Sequence, residues 1–348
     1  MAPFNVTASV LAICLSASTA LADTLSTGLS TGIQQLEVKD ASVSRPLSGF
    51  VWYPTEAKGA SVMANGNPVF QAIPVQPDAE VQGGKHPLVV FSHGMYGNVR
   101  NQAWLASALT QKGYIVAAVD HPGTSSFSRD ADQARELWQR PKDISRLIDH
   151  LLADESFAAH VDTSRIFMAG HSLGGFTAVA LAGGRFSPEK VDAMCAAGED
   201  DLICGILDGW NIAKTQDDRA AMAADLSDDR IKAFAVFDLG ATQVFSPESL
   251  AAINAPLQIW GAPEDIAGMN LDLESRALKA ALSEGVSEYH EPEGMAHFDF
   301  LGECTAKGLM ILKEEEPEDA FICIDGTEPR RALHQMIAEK TEGFFADQ

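Results

Sequence analysis

Gly170-His171-Ser172-Leu173-Gly174, with Gly175 behind it, stands between a short apolar run, RIFMA, and a helix-forming one, FTAVALA. A serine flanked by glycines at a strand-to-helix junction is the pattern of a nucleophile elbow. The turn is so tight that side chains beside the serine would meet neighbouring elements, and glycine removes them. The hydroxyl is carried at the start of a helix, where the dipole and free N–H groups favour developing negative charge. The chemistry to expect is acyl transfer through a serine oxygen.

A serine hydroxyl needs a base to take its proton, and the base needs a carboxylate to orient it. His297, in Gly294-Met295-Ala296-His297-Phe298, follows the last strand-like run, where a loop can return its ring to Ser172. His290 lies inside that run and reads as a packing or surface residue. His171 and His93 read as scaffold residues. Two carboxylates precede His297: Asp265, after Trp260-Gly261-Ala262-Pro263-Glu264, and Asp238, at the end of IKAFAVFD. The alternatives are a solvated loop charge for Asp265 and a strand-end turn residue for Asp238.

These residues depend on a scaffold of alternating elements. Residues 33–54 read as two antiparallel strands around a turn, and 59–85 as a Gly/Pro/Asn-rich loop. Beyond it, buried strands are expected at 87–91, 114–119, 165–169, 231–237 and 256–260, with a short last one at 287–290. Helices are expected at 102–112, 141–152, 176–182 and 273–282, from apolar residues at helical spacing, and a terminal one at 330–345. Strands alternating with helices predict an α/β chain with one mostly parallel sheet and helices on both faces. Such sheets carry their chemistry in loops at the C-terminal strand ends. Residues 185–229 contain no clear sheet element and read as a small lid-like insertion over the site, or as a peripheral excursion.

The motifs VWYP (51–54), FSHG (91–94), DHPG (120–123), RPKD (140–143), GHSLGG (170–175) and AHFDFL (296–301) together span the chain from about residue 35. They resemble the α/β-hydrolase superfamily, and within it the platelet-activating-factor acetylhydrolase and dienelactone-hydrolase-like branch. Dienelactone hydrolase proper uses a cysteine nucleophile, so Ser172 points to ester hydrolysis. The resemblance implies the order Ser, acid, His along the chain. Asp265 sits at the usual acid position of bacterial members and is favoured. Asp238 sits where the acetylhydrolase branch has its acid and is the alternative. An oxyanion hole needs two N–H donors: the amide of Leu173, directly after the nucleophile, and, by the resemblance, that of Met95.

The 25 Lys and Arg residues against 48 Asp and Glu give a net charge of −23. A polyanion of this kind repels nucleic-acid phosphates and anionic lipid surfaces. Residues 1–22 carry no charged side chain and end on Ala20-Leu21-Ala22, as a cleaved signal peptide would. The alternative is an uncleaved anchor. Removal of Cys14 with the leader leaves Cys195, Cys204, Cys304 and Cys323. Local spacing favours the pairs Cys195–Cys204 and Cys304–Cys323, which an oxidising compartment would let form. No CxxC or HExxH spacing suggests a metal. The expected molecule is a periplasmic or secreted single-domain serine esterase of residues 23–348. It would act on small, short-chain esters through an acyl-enzyme and require no cofactor. An amidase or peptidase with the same triad, and a catalytically dead binding protein, are the alternatives. The sequence is silent on oligomeric state.

Overall fold

The computed structural model describes residues 28–39, 44–56, 59–265, 268–326 and 329–348; the expected leader, 1–22, lies outside them. A ten-stranded sheet runs through the molecule. From one edge its strands are Ser287–His290, Leu257–Trp260, Ile231–Phe237, Val161–His171, His86–Ser92 and Ile115–Val119, all parallel. Leu47–Thr55 then pairs antiparallel with Ile115–Val119, and Ser30–Val38 antiparallel with Leu47–Thr55.

The alternation of side chains along the central strands builds two cores. Leu88, Val90, Ile166, Met168, Phe234 and Val236 face one side, with residues of the helices Gln139–Ala153 and Leu173–Leu181. Val89, Phe91, Phe167, Ala169, Ala235 and Phe237 face the other, with residues of Ala103–Thr110 and Arg330–Ala346. This period of two, buried on both faces, is why the strands read in the sequence as continuous apolar runs.

The structure corrects two expectations. The loop 59–85 contains the strands Val62–Ala64 and Ile73–Pro77, which extend the sheet beyond Ser30–Val38. They are short, and Pro74 and Pro77 hid the second, because proline is tolerated only at edges and bulges. The elbow helix starts at Leu173, not at 176, because Gly174 and Gly175 form its buried first turn. Residues 185–229 hold the helices Pro188–Ala197, Asp201–Gly209 and Gln216–Met222. Cys195–Cys204 and Cys304–Cys323 are both bonded as the spacing predicts. The first joins two of those helices; the second ties Cys304, before the helix Gly308–Glu315, to the end of the segment Pro317–Cys323.

Candidate active site

Ser172 leaves the end of the strand Val161–His171 at φ 55° and ψ −119°. A non-glycine residue there is strained by about 1–3 kcal/mol, and the surroundings must hold it. They do so through backbone contact. The Ser172 N–H donates to the Phe237 carbonyl at 2.9 Å, and its own carbonyl accepts from Gly175 at 2.8 Å. A Cβ on Gly170 would lie 2.1 Å from the Gly174 oxygen, and one on Gly174 would lie 1.9 Å from the Ser92 oxygen. Both glycines of the motif are therefore steric requirements.

His297 is buried beside Ser172, and the two border the same pair of cavities. Its Nδ1 donates to Asp238 Oδ2 at 2.7 Å. Asp238 is itself buried, and its Oδ1 accepts from the Ala262 N–H at 3.0 Å and the Ser275 hydroxyl at 3.4 Å. With the Nδ1 proton fixed on the carboxylate, Nε2 is the free basic nitrogen. The carboxylate that meets His297 in the structure is therefore Asp238, not the favoured Asp265. Asp265 is exposed, and its carboxylate accepts from the N–H of Gly268 at 2.7 Å. The physical reason is the sheet order. Ile231–Phe237 is the immediate neighbour of the elbow strand, so the residue at its end lies closer to the serine than one beyond the next strand.

The other histidines serve as supports. His171 Nε2 donates to the His297 carbonyl at 2.9 Å, and the two rings lie 4.6 Å apart. Burial holds the His171 imidazole well below its ordinary range, so it stays neutral. His290 packs its ring on Trp260 and bonds Glu288.

Leu173 provides the first amide of the elbow helix, which has no intrahelical acceptor. Met95 lies in the loop after His86–Ser92 and borders both cavities beside Ser172. Gly94 brings that loop close: a Cβ there would be 3.2 Å from the Ser172 Cβ.

Behind this loop lies a buried polar network that sequence reasoning did not assign. Arg140 donates to the Ser92 hydroxyl at 3.0 Å, to the His93 carbonyl, to Thr124 at 2.6 Å and to Thr177 at 3.1 Å. The Ser92 hydroxyl donates to His121 Nε2 at 2.9 Å, and His121 Nδ1 donates to Asp143 at 3.0 Å. Arg45 closes the chain with a bidentate pair to Asp143, both bonds at 2.9 Å. His93 accepts from the His121 N–H at 3.0 Å. Burial lowers Arg140 to about 9, still protonated at neutral pH. The signal was present in the motifs FSHG, DHPG and RPKD, each of which supplies members to this one network.

Two cavities meet at Ser172 and His297. The first, about 240 Å³, is almost wholly apolar and is walled by Leu202, Ile203, Ile206 and Leu207 from the helix Asp201–Gly209, with Trp210 and Phe186. The second, about 280 Å³, opens on the other side past Asn67, Phe70 and Asn101. The loop Gly240–Val244, which borders the apolar chamber, is held from beneath by Glu274. Its carboxyl accepts from the N–H groups of Ala241 at 2.9 Å and Thr242 at 2.7 Å.

The pattern of the family described as serine aminopeptidase, S33 (Hydrolase_4) matches residues 84–198. Cutinase est2 of Thermobifida alba is 29% identical over 99 residues, 28% of this chain and 30% of the cutinase. The cutinase of Thermobifida fusca strain YX is 28% identical over 99 residues, 28% of each chain. The chain thus matches less than a third of the length of these relatives. The solved structure of a ferulic acid esterase from Streptomyces cinnamoneus superposes with a TM-score of 0.63 at 19% identity, covering 92% of this chain and 90% of that one. A serine between strand and helix in a largely parallel sheet, in a chain that superposes over nine-tenths of that neighbour, shows the α/β-hydrolase fold.

Proposed function

We propose that the protein is an exported serine carboxylic-ester hydrolase working through an acyl-enzyme. The observation that carries the reading is the His297–Asp238 pair, set beside a strained Ser172 where an apolar chamber meets a second cleft of mixed lining. Ser172 attacks the ester carbonyl, and His297 Nε2 takes its proton and returns it to the leaving alcohol. The amides of Leu173 and Met95 hold the oxyanion. Water, activated by the same histidine, then releases the acid and restores the serine. Cutinases and a ferulic acid esterase among the relatives support an ester bond as the target. The two disulfides suit an oxidising compartment and the leader read at 1–22. The motif set remains similar to the acetylhydrolase and dienelactone-hydrolase-like branch.

The apolar chamber is the acyl site in this reading. At about 240 Å³ it is smaller than the roughly 300–1,000 Å³ of pockets that hold a whole drug-sized ligand, so it suits the short acyl part of an ester. The insertion 185–229 is its lid, with Cys195–Cys204 stapling the wall. The test is hydrolysis of p-nitrophenyl esters from acetate to dodecanoate, beside Ser172→Ala. Activity that peaks at a short chain and vanishes in the variant is expected. Equal rates in both proteins would refute the reading.

The match to a family described as serine aminopeptidase favours amide cleavage as the second reading. A matched p-nitrophenyl ester and p-nitroanilide of one acid separates the two. Faster anilide turnover would establish the peptidase.

A further inference from the structure

The cleft on the alcohol side of Ser172 does not end at the catalytic residues. Asn67, Phe70, Asn98 and Asn101 border both it and a second hollow of about 110 Å³. Asn65, Asn67, Phe70 and Arg100 in turn border that hollow and an open basin of about 660 Å³. The three share bordering residues in sequence, so they adjoin one another from the nucleophile to the far strands of the sheet. Their lining differs in kind from the acyl chamber, being rich in carboxamides where the chamber is aliphatic.

The carboxamides are fixed in a particular sense. Asn65 Oδ1 accepts from the Trp52 indole at 3.0 Å. Asn67 Oδ1 accepts from the N–H groups of Val69 and Phe70 at 2.8 and 2.7 Å. Asn101 Oδ1 accepts from the Asn98 N–H at 2.6 Å. In each case the protein occupies the oxygen and leaves the amino group, which has no partner among the described residues. Arg100 adds a further donor. Its guanidinium lies 5.9 Å from the Phe50 ring and 5.4 Å from the Phe127 ring, and it forms no salt bridge among the described residues. A groove lined by pre-oriented donors and by the carboxylates of Asp78, Glu303, Glu315 and Asp319, with Phe70 bordering all three hollows, calls for a ligand rich in hydroxyl groups, which accept as well as donate, and with apolar C–H faces.

The geometry points to a saccharide chain as that ligand: the groove is a subsite for the sugar portion of an ester whose acyl group enters the apolar chamber. A ring bearing hydroxyl and ether oxygens offers acceptors to Asn65, Asn67, Asn101 and Arg100, and its C–H face packs on Phe70. A polyanionic chain is disfavoured by the net charge of −23. An aliphatic alcohol would leave every one of these donors unpaired on desolvation. The direction of the substrate rests on the esterase reading, whereas binding of the sugar does not.

The test compares methyl butanoate with butanoate monoesters of cellotriose, xylotriose and maltotriose. At least one trisaccharide ester is expected to exceed methyl butanoate in kcat/KM by tenfold or more. Asn65→Asp keeps the acceptor for Trp52 and removes the donor, and Arg100→Ala removes the guanidinium; neither residue borders the cleft at Ser172. Each should raise KM for the preferred trisaccharide ester about fivefold and leave methyl butanoate within twofold. Equal kcat/KM for methyl and all trisaccharide esters would overturn the subsite, as would variants that slow both substrates alike. If no ester is hydrolysed, the esterase reading falls. Calorimetric titration with the three free trisaccharides then decides the groove: binding weakened by Arg100→Ala supports it, and no binding ends it.

Discussion

The indole N–H of Trp210 donates to the phenol oxygen of Tyr96 at 3.0 Å, with the two rings edge to face at 5.7 Å. Trp210 ends the helix that walls the apolar chamber, and Tyr96 follows Met95 in the loop proposed to bind the oxyanion. Tyr96 is held at φ 52°, with its N–H on the Thr124 carbonyl at 2.8 Å and Arg129 over its ring. One bond therefore ties the chamber wall to the oxyanion loop. A neutral hydrogen bond is worth about 1 kcal/mol, or about fivefold in rate. Tyr96→Phe and Trp210→Phe are each expected to lower kcat on a p-nitrophenyl ester by about that factor. The double variant should lose no more than the worse single one. Fully additive losses would show that the bond couples nothing.

Asp238 and Asp265 are separable by charge-neutral substitution. Asp238→Asn should cut kcat by about three to four orders of magnitude, because the amide favours the wrong imidazole tautomer. Asp265→Asn should remain within about twofold of the parent, as its carboxylate serves an exposed turn. Steady-state kinetics with one p-nitrophenyl ester measures both.

The staple Cys195–Cys204 closes a short loop, with a separation of 9 residues. Loop-closure entropy gives such a bond about 3 kcal/mol of stability. Cys195→Ser with Cys204→Ser should lower Tm by several degrees. Because Cys204 lies between Ile203 and Ile206 of the chamber wall, the preferred acyl length should also broaden. A fall in Tm with an unchanged chain-length profile would argue that 185–229 is a peripheral excursion and no lid.

Two buried groups set opposite pH limits. His334 stacks on Trp104 at 3.6 Å, bonds the Asp299 carbonyl at 2.8 Å, and is lowered by burial to about 4. Its folded value is depressed, so its contribution is present above about 6.5 and is lost as pH falls toward 4, by at most about 3 kcal/mol. Glu274 is pushed up by burial to about 8. Its folded value is raised, so its contribution is complete below the ordinary carboxylate range and is lost as pH rises through about 8. Tm should therefore fall on both sides of a maximum. His334→Gln should flatten the acid limb and Glu274→Gln the alkaline one, even if each variant starts from a lower Tm. Unchanged slopes would assign the limbs to other groups.

The elbow replacement Gly174→Ala is the severest single change expected. Its Cβ would enter the Ser92 carbonyl at 1.9 Å, and neither backbone can yield without moving the nucleophile or the oxyanion loop. Activity should be abolished, and circular dichroism should show whether the sheet survives.

What the sequence determined by itself is what is encoded locally. Strand and helix periodicity, the glycines around Ser172, the histidine after the last strand and the two short-range cysteine pairs all depend on neighbours a few residues apart. Their physical requirements, a tight turn or a buried pleat, can therefore be read from residue type. The carboxylate that meets His297 could not be read in this way. Asp238 and Asp265 both follow strands and both precede His297, and only the order of strands in the sheet brings Asp238 to Nδ1. Ser92, His121, Arg140 and Asp143 were visible in three separate motifs, and Arg45 in none of them, so the network did not show as one structure. Its members are joined by long-range bonds across as many as 98 residues. The groove beyond Ser172 assembles Asn65, Asn67, Arg100 and Asn101 from two segments, one of them the connection between the short strands Val62–Ala64 and Ile73–Pro77. Such sites are decided by tertiary packing, because their chemistry resides in the distance between residues that the chain itself keeps apart.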